Sequence, residues 1–185
     1  MQAQDLRMRD ELLAAGQLDG PYSPKMEAVH RTNVSRLREI IEAHGWPAED
    51  VVGKDGAEAA WLIAQHAIGE PDFQKRVVTL LESNAASGRV PEWQVAYLKD
   101  RIAMCDGEPQ RYGTQSFDDP RDGRSRFWQI SEPEHVNARR AEVGLPPLGP
   151  EPELGPPLSP HEHKRMKENE TWWKGWLASK GWRIR

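Results

Sequence analysis

Residues 59–68 read Ala59-Ala60-Trp61-Leu62-Ile63-Ala64-Gln65-His66-Ala67-Ile68, an apolar run interrupted by one amide and one imidazole. A helix apolar around nearly its whole circumference belongs in the middle of a fold, so Gln65 and His66 are predicted to be carried inward with it. Leaving either group buried and unpaired costs on the order of 1–3 kcal/mol, so partners are to be sought elsewhere in the chain.

Working outward, Ser23-Pro24 gives an N-cap and a first-turn proline for a long helix that runs to about Ala43 and stops at Gly45. Its stripe at helical spacing is Met26, Val29, His30, Asn33, Leu37, Ile40, Ile41 and His44, which sets His30 and Asn33 among apolar neighbours as the first candidate partners of His66. Trp46-Pro47 forces an extended corner, a short helical turn covers 48–52, and the central helix is expected from about Ala57 to Ile68. Pro71 and Pro91 open two further helices, with stripes of Phe73, Val77, Leu80 and Leu81 and of Val95, Leu98, Ile102 and Cys105. Ahead of all these, residues 4–15 predict a half-exposed helix ending near Gly16, followed by a Gly20-Pro21 turn.

Beyond Glu108 the pattern changes. Turn chemistry at Asp118-Asp119-Pro120-Arg121-Asp122-Gly123, with extended runs on either side, predicts a β-hairpin or flap from Tyr112 to Ile130, and a short helix follows at 135–142. The proline-rich run 149–160 is expected to be an extended linker, and Ser159-Pro160 caps a final helix bearing Trp172, Trp173 and Trp176. The fold class is therefore mainly α: an orthogonal helical bundle of five or six helices with a small hairpin over residues 1–148, a linker over 149–160 and a Trp-rich C-terminal helix over 161–185. That helix is expected to cover an apolar groove on its own domain or on a second copy in a homodimer. Docking onto a protein partner or a membrane surface is the sharper reading.

At 185 residues and 37% hydrophobic, the chain can bury one ordinary core. A net charge of -4 gives no general attraction to phosphate backbones, so no nucleic-acid partner is expected. The single cysteine, Cys105, cannot form an intrachain disulfide, no window approaches a membrane span, and the N-terminus lacks the order of a signal peptide, which together give a cytoplasmic expectation.

Tyr22, the string His30-Arg31-Thr32-Asn33, then Gly45-Trp46-Pro47, Ala60-Trp61-Leu62-Ile63-Ala64-Gln65-His66-Ala67, Gln110-Arg111-Tyr112-Gly113-Thr114-Gln115 and Arg139-Arg140-Ala141-Glu142-Val143-Gly144-Leu145-Pro146-Pro147 carry a resemblance. In order and type these motifs resemble an uncharacterised bacterial family of unknown function, over about residues 22–148. The resemblance implies domain limits and little chemistry.

The chemistry rests on the residues. Two imidazoles on facing buried helices can act as general base and general acid, which makes His30 and His66 the candidate catalytic pair. Asn33 and Gln65, also directed inward, would orient a substrate, and Tyr112, Thr114 and Gln115 would form a polar rim in a glycine-loosened loop. Arg31 and Arg101, or Arg139 and Arg140, would hold an anionic group, and Asp100 is a candidate orienter of a histidine. Metal binding is the chief rival chemistry, since His30 and His66 with Asp100 or a glutamate would give a His/carboxylate site. No His-x-x-x-His spacing lies in the central helices, however, and no phosphate loop or dinucleotide fingerprint is present, so neither metal nor cofactor is expected. The expected function is a small enzyme doing acid-base chemistry on a small polar or anionic substrate, as a hydrolase, lyase or transferase. The alternative is a noncatalytic ligand-binding or interaction domain that docks through its Trp-rich tail.

Overall fold

The computed structural model describes residues 2–15, 22–151 and 153–183. The expected helix stop at Gly16, the Gly20-Pro21 turn and Pro152 of the linker lie outside the described residues. The architecture is mainly α with one two-stranded antiparallel sheet among the described residues, and the chain divides into two compact units, Met1–Leu98 and Lys99–Arg185.

The first unit holds α1 (Gln2–Ala14), α2 (Pro24–His44), α3 (Glu49–His66), α4 (Pro71–Ala86) and the start of α5 (Glu92–Cys105). Pro24 opens α2 as expected, but Ser23 makes no side-chain cap bond; the proline alone presets the first turn. The stripe of α2 buries Met26, Val29, Asn33, Val34 and Leu37, while His44 at its end is exposed. Gly45 at φ 77° donates its amide to the Ile41 carbonyl and turns the chain toward Trp46 and Ala48, which are buried. α3 begins earlier than the sequence pattern predicts, because the short turn at 49–52 continues into the central helix across one non-helical residue, Gly53, at φ 74° and ψ 170°. Ile63, Ala64 and Gln65 are buried, whereas Trp61 and His66 keep partial exposure, so the central helix is not sealed around its whole circumference. Phe73, Val77 and Leu81 of α4 complete this core.

The second unit contains the end of α5, the hairpin β1 (Ser116–Asp118) and β2 (Ser125–Phe127), a single 3-10 turn at 133–135, α6 (Val136–Glu142) and α7 (Pro160–Lys180). The strands pair Ser116 with Phe127 and Asp118 with Ser125. Between Gly149 and Ser159 the described residues of the proline-rich run form no helix or strand, yet they are tied to the hairpin. Arg124 donates to the Glu153 carbonyl at 2.7 Å, the Phe127 amide donates to Glu151 at 3.1 Å and the Gly155 amide to Asp122 at 2.8 Å. Ser159 and Glu162 close a full capping box at the start of α7, so Glu162 of the His161-Glu162-His163 run is a capping residue. Trp172 and Trp173 each stack on Trp176, at centroid distances of 6.2 and 5.3 Å, and Leu177 with Trp182 are buried.

The hairpin turn is held by charge. Arg126, buried like Asp119, donates to Asp119 at 2.8 Å and to Asp122 at 2.7 Å. Hydrogen bonds from Arg121, opposed by burial and joined by Arg126, hold the Asp119 carboxyl well below the ordinary carboxylate range. A carboxylate depressed by folding contributes stability that is complete above its unfolded pKa and disappears as pH falls through its folded one. Thermal melts from about pH 5 to pH 2 are therefore expected to fall steeply below about pH 4, where an unfolded Asp takes up its proton. In Asp119→Asn that part of the slope should be gone, and equal slopes would contradict this assignment.

Candidate active site

α1, α2 and α3 each place one ionisable side chain at a common point. On α1, Asp5 and Leu12 lie seven residues apart, hence on one helical face, and each is 2% exposed. On α2, His30 is flanked by the buried Val29 and Asn33. On α3, His66 is the last helical residue, and the carboxamide of Gln74 fixes that end by donating to the carbonyls of Ala64 at 2.7 Å and Gln65 at 3.1 Å.

The Asp5 carboxylate bridges the imidazoles. His30 Nε2 lies 2.9 Å from Asp5 Oδ1, and His66 Nδ1 lies 2.7 Å from Asp5 Oδ2. A carboxylate only accepts, so each nitrogen donates its proton to it. The rings face each other at 4.9 Å with a tilt of 37°. With Nε2 of His30 protonated, its Nδ1 is an acceptor, and the Tyr22 hydroxyl donates to it in a short bond. Burial, then the charges of Glu27 and Asp5, push the Tyr22 hydroxyl above its ordinary pKa, which keeps it a neutral donor. Burial also acts to raise the Asp5 carboxyl, but the hydrogen bonds and fields of the two histidines outweigh it and hold the group well below the usual range. Asp5 is thus a buried anion whose ion pairs among the described residues are to imidazoles.

The two histidines are not equivalent. The His30 side chain is 11% exposed and both its nitrogens are engaged. The His66 side chain is 33% exposed, and among the described residues its Nε2 has no partner. On the same two helices, the buried Asn33 Nδ2 and both polar atoms of the buried Gln65 carboxamide also lack partners among the described residues. Native structures leave few such groups, and each calls for a physical explanation. Arg31, on the same helix as His30, is exposed.

The remaining sequence candidates belong to the second unit. The Asp100 carboxylate, a candidate orienter of histidine, instead accepts from the amides of Arg111 at 2.8 Å, Tyr112 at 3.0 Å and Thr114 at 3.1 Å and from the Thr114 hydroxyl at 3.0 Å. The Gln115 carboxamide donates to the Thr114 hydroxyl at 3.0 Å. Arg139 donates to the Arg111 carbonyl at 2.8 Å and Arg140 to the Tyr112 carbonyl at 2.7 Å, so these guanidinium groups hold loop backbone. Gly113 sits at φ 66° with Leu148 and Ile130 packed where a Cβ would stand, which explains the glycine in the loop. Burial lowers the pKa of Arg101, and its Nε lacks a partner among the described residues. Cys105 is fully buried, as its place on an apolar face predicts.

The group that sequence reading missed is Asp5. Its one local signal is the seven-residue spacing to Leu12, which is faint in a helix full of charges. Asp5, His30 and His66 also each present a ligand atom within 4.8 Å of the others, a grouping with the composition of a metal centre. No helix among the described residues is long and apolar enough to cross a membrane.

In comparison with known proteins, a model for a family of unknown function matches residues 1–153. The match covers α1 and Asp5 as well as the stretch that carries the sequence motifs. No curated protein and no solved structure matches this chain.

Proposed function

Since the chain belongs to the family of unknown function DUF6624, we propose its activity from geometry alone: an enzyme that performs acid-base chemistry on a small polar or anionic substrate, with His66 as the catalytic residue. The observation that carries this reading is the bridging carboxylate. Asp5 fixes His66 with its proton on Nδ1 and leaves the Nε2 lone pair without a partner among the described residues, on a ring that is partly exposed. When Nε2 accepts a proton, the resulting imidazolium faces the carboxylate at 2.7 Å, which stabilises the charge as it forms. His30, engaged at both nitrogens, is a positioning residue that holds the other Asp5 oxygen, with Tyr22 behind it. Gln65 and Asn33 supply unpaired amides for orienting a polar substrate. Proton abstraction or activation of water by His66 places the reaction among hydrolases, lyases or transferases, and general acid-base catalysis of this kind is worth about 10²–10⁴-fold in rate.

The test is a small-molecule screen by thermal shift on wild type and His66→Ala. A substrate-like ligand at about 100 times its Kd stabilises the folded protein by about 2.7 kcal/mol, and this shift is expected in wild type and lost in the variant. Hits that shift both proteins equally, or a library that shifts neither, would instead favour the noncatalytic interaction domain.

A further inference from the structure

We infer that Asp5, His30 and His66 form a binding site for a single divalent transition metal of the zinc class, with His30 Nε2, His66 Nδ1 and Asp5 oxygen as ligands. This departs from the expectation, drawn from sequence spacing, that the protein binds no metal.

The donor set is two imidazoles and a carboxylate, the composition that selects zinc and its first-row neighbours over magnesium or calcium. Bonds of about 2.0–2.1 Å place the donor atoms of a tetrahedral zinc shell about 3.3 Å apart. The two nitrogen-to-carboxylate distances, 2.9 and 2.7 Å, are already close to such an edge, and all three ligand atoms lie within 4.8 Å of one another. Metal binding would draw the three donor atoms together to that spacing. Charge favours the ion, because Asp5 is a buried anion with no lysine or arginine paired to it among the described residues. The surroundings fit as well. A histidine that gives Nε2 to a metal carries its proton on Nδ1 and needs an acceptor there, and the Tyr22 hydroxyl is already in place. The partly exposed His66 edge supplies the entry path, and three protein ligands leave a fourth position for water.

Proton and metal states exclude each other. In the metal-free site each imidazole is protonated on the nitrogen that faces Asp5; in the loaded site that nitrogen binds the ion and the proton sits on the other nitrogen. His66 Nε2 then has no lone pair to offer, so zinc should inhibit any turnover that depends on His66 as base.

The test uses the full chain stripped with a chelator and titrated calorimetrically with zinc alone, with cobalt as a visible-spectrum probe of coordination. Wild type is expected to bind one zinc per chain and to give a tetrahedral cobalt spectrum. Affinity should fall at least about 100-fold in His66→Ala and His30→Ala, and about 10-fold in Tyr22→Phe, the range found on removing partners of metal ligands. His161→Gln/His163→Gln, which alters histidines of α7, should bind as wild type does. Circular dichroism identifies any variant that fails to fold; the partly exposed His66 and the ring-preserving Tyr22→Phe provide tests even if His30→Ala does. Wild-type affinity no higher than that of His66→Ala would overturn the inference. Because the probe is the metal without substrate, a failed ligand screen with intact zinc binding refutes only the acid-base reading, and the converse result refutes only this one.

Discussion

Asp5→Ala is expected to destabilise the first unit by about 3–5 kcal/mol, the range for breaking a buried charged network on one side. Hydrogen bonds to charged groups contribute about 1.5–3 kcal/mol each, and Asp5 makes two, to His30 and His66. The loss should be selective. α1 reaches the core through Asp5 and Leu12, so removal of the carboxylate leaves one buried apolar anchor among its described side chains. Urea denaturation should therefore show a lower midpoint, and limited proteolysis should cut first within residues 2–14. Against a total stability of about 5–15 kcal/mol for an ordinary domain, such a loss is readily measured. A change below about 1 kcal/mol, the value of an exposed ion pair, would mean that Asp5 is a surface residue and that no bridge exists.

Asp100→Ala should have a comparable effect, about 3–5 kcal/mol, in the second unit. The carboxylate is completely buried and gathers three loop amides and the Thr114 hydroxyl. Burial pushes its carboxyl pKa up, against the pull of those donors. Alanine would leave four donors facing an apolar gap, and Asp100→Asn would set an amide N–H against some of them. Hydrogen exchange is the sharper readout: the amides of Arg111, Tyr112 and Thr114 should exchange much faster in the variant while amides within α4 do not. Unchanged exchange at those three positions would show that the loop is held by Arg139, Arg140 and Gln110 alone, the last exchanging 2.8 Å hydrogen bonds with the Gln115 backbone.

How far the fold is legible from sequence differs from residue to residue. The helices follow from apolar spacing and from prolines at first turns, because both act locally. The same spacing places His30 on the inner stripe of α2 and His66 at the end of the buried run, and the structure brings the two rings together. Asp5 was not legible: its partners stand 25 and 61 residues away, and α1 also carries Arg7, Arg9, Asp10 and Glu11. A single buried carboxylate in such a helix has no periodic signature. The loop 110–115 was hard to read for another reason. Its hydroxyl and amide groups read equally well as ligand contacts or as a self-satisfied turn, and backbone amides, which decide between the two, are the same in every sequence. Arg139 and Arg140 suit a carboxylate or a carbonyl alike, so only their position shows that they hold backbone.

Whether Asp5 bridges the two imidazoles is decided by their proton positions, read from a long-range proton–nitrogen correlation spectrum of the metal-free protein at neutral pH. Opposite tautomers are expected, His30 carrying its proton on Nε2 and His66 on Nδ1, with the His66 assignment lost in Asp5→Asn. Both histidines protonated on Nε2, unchanged by that substitution, would contradict the bridge.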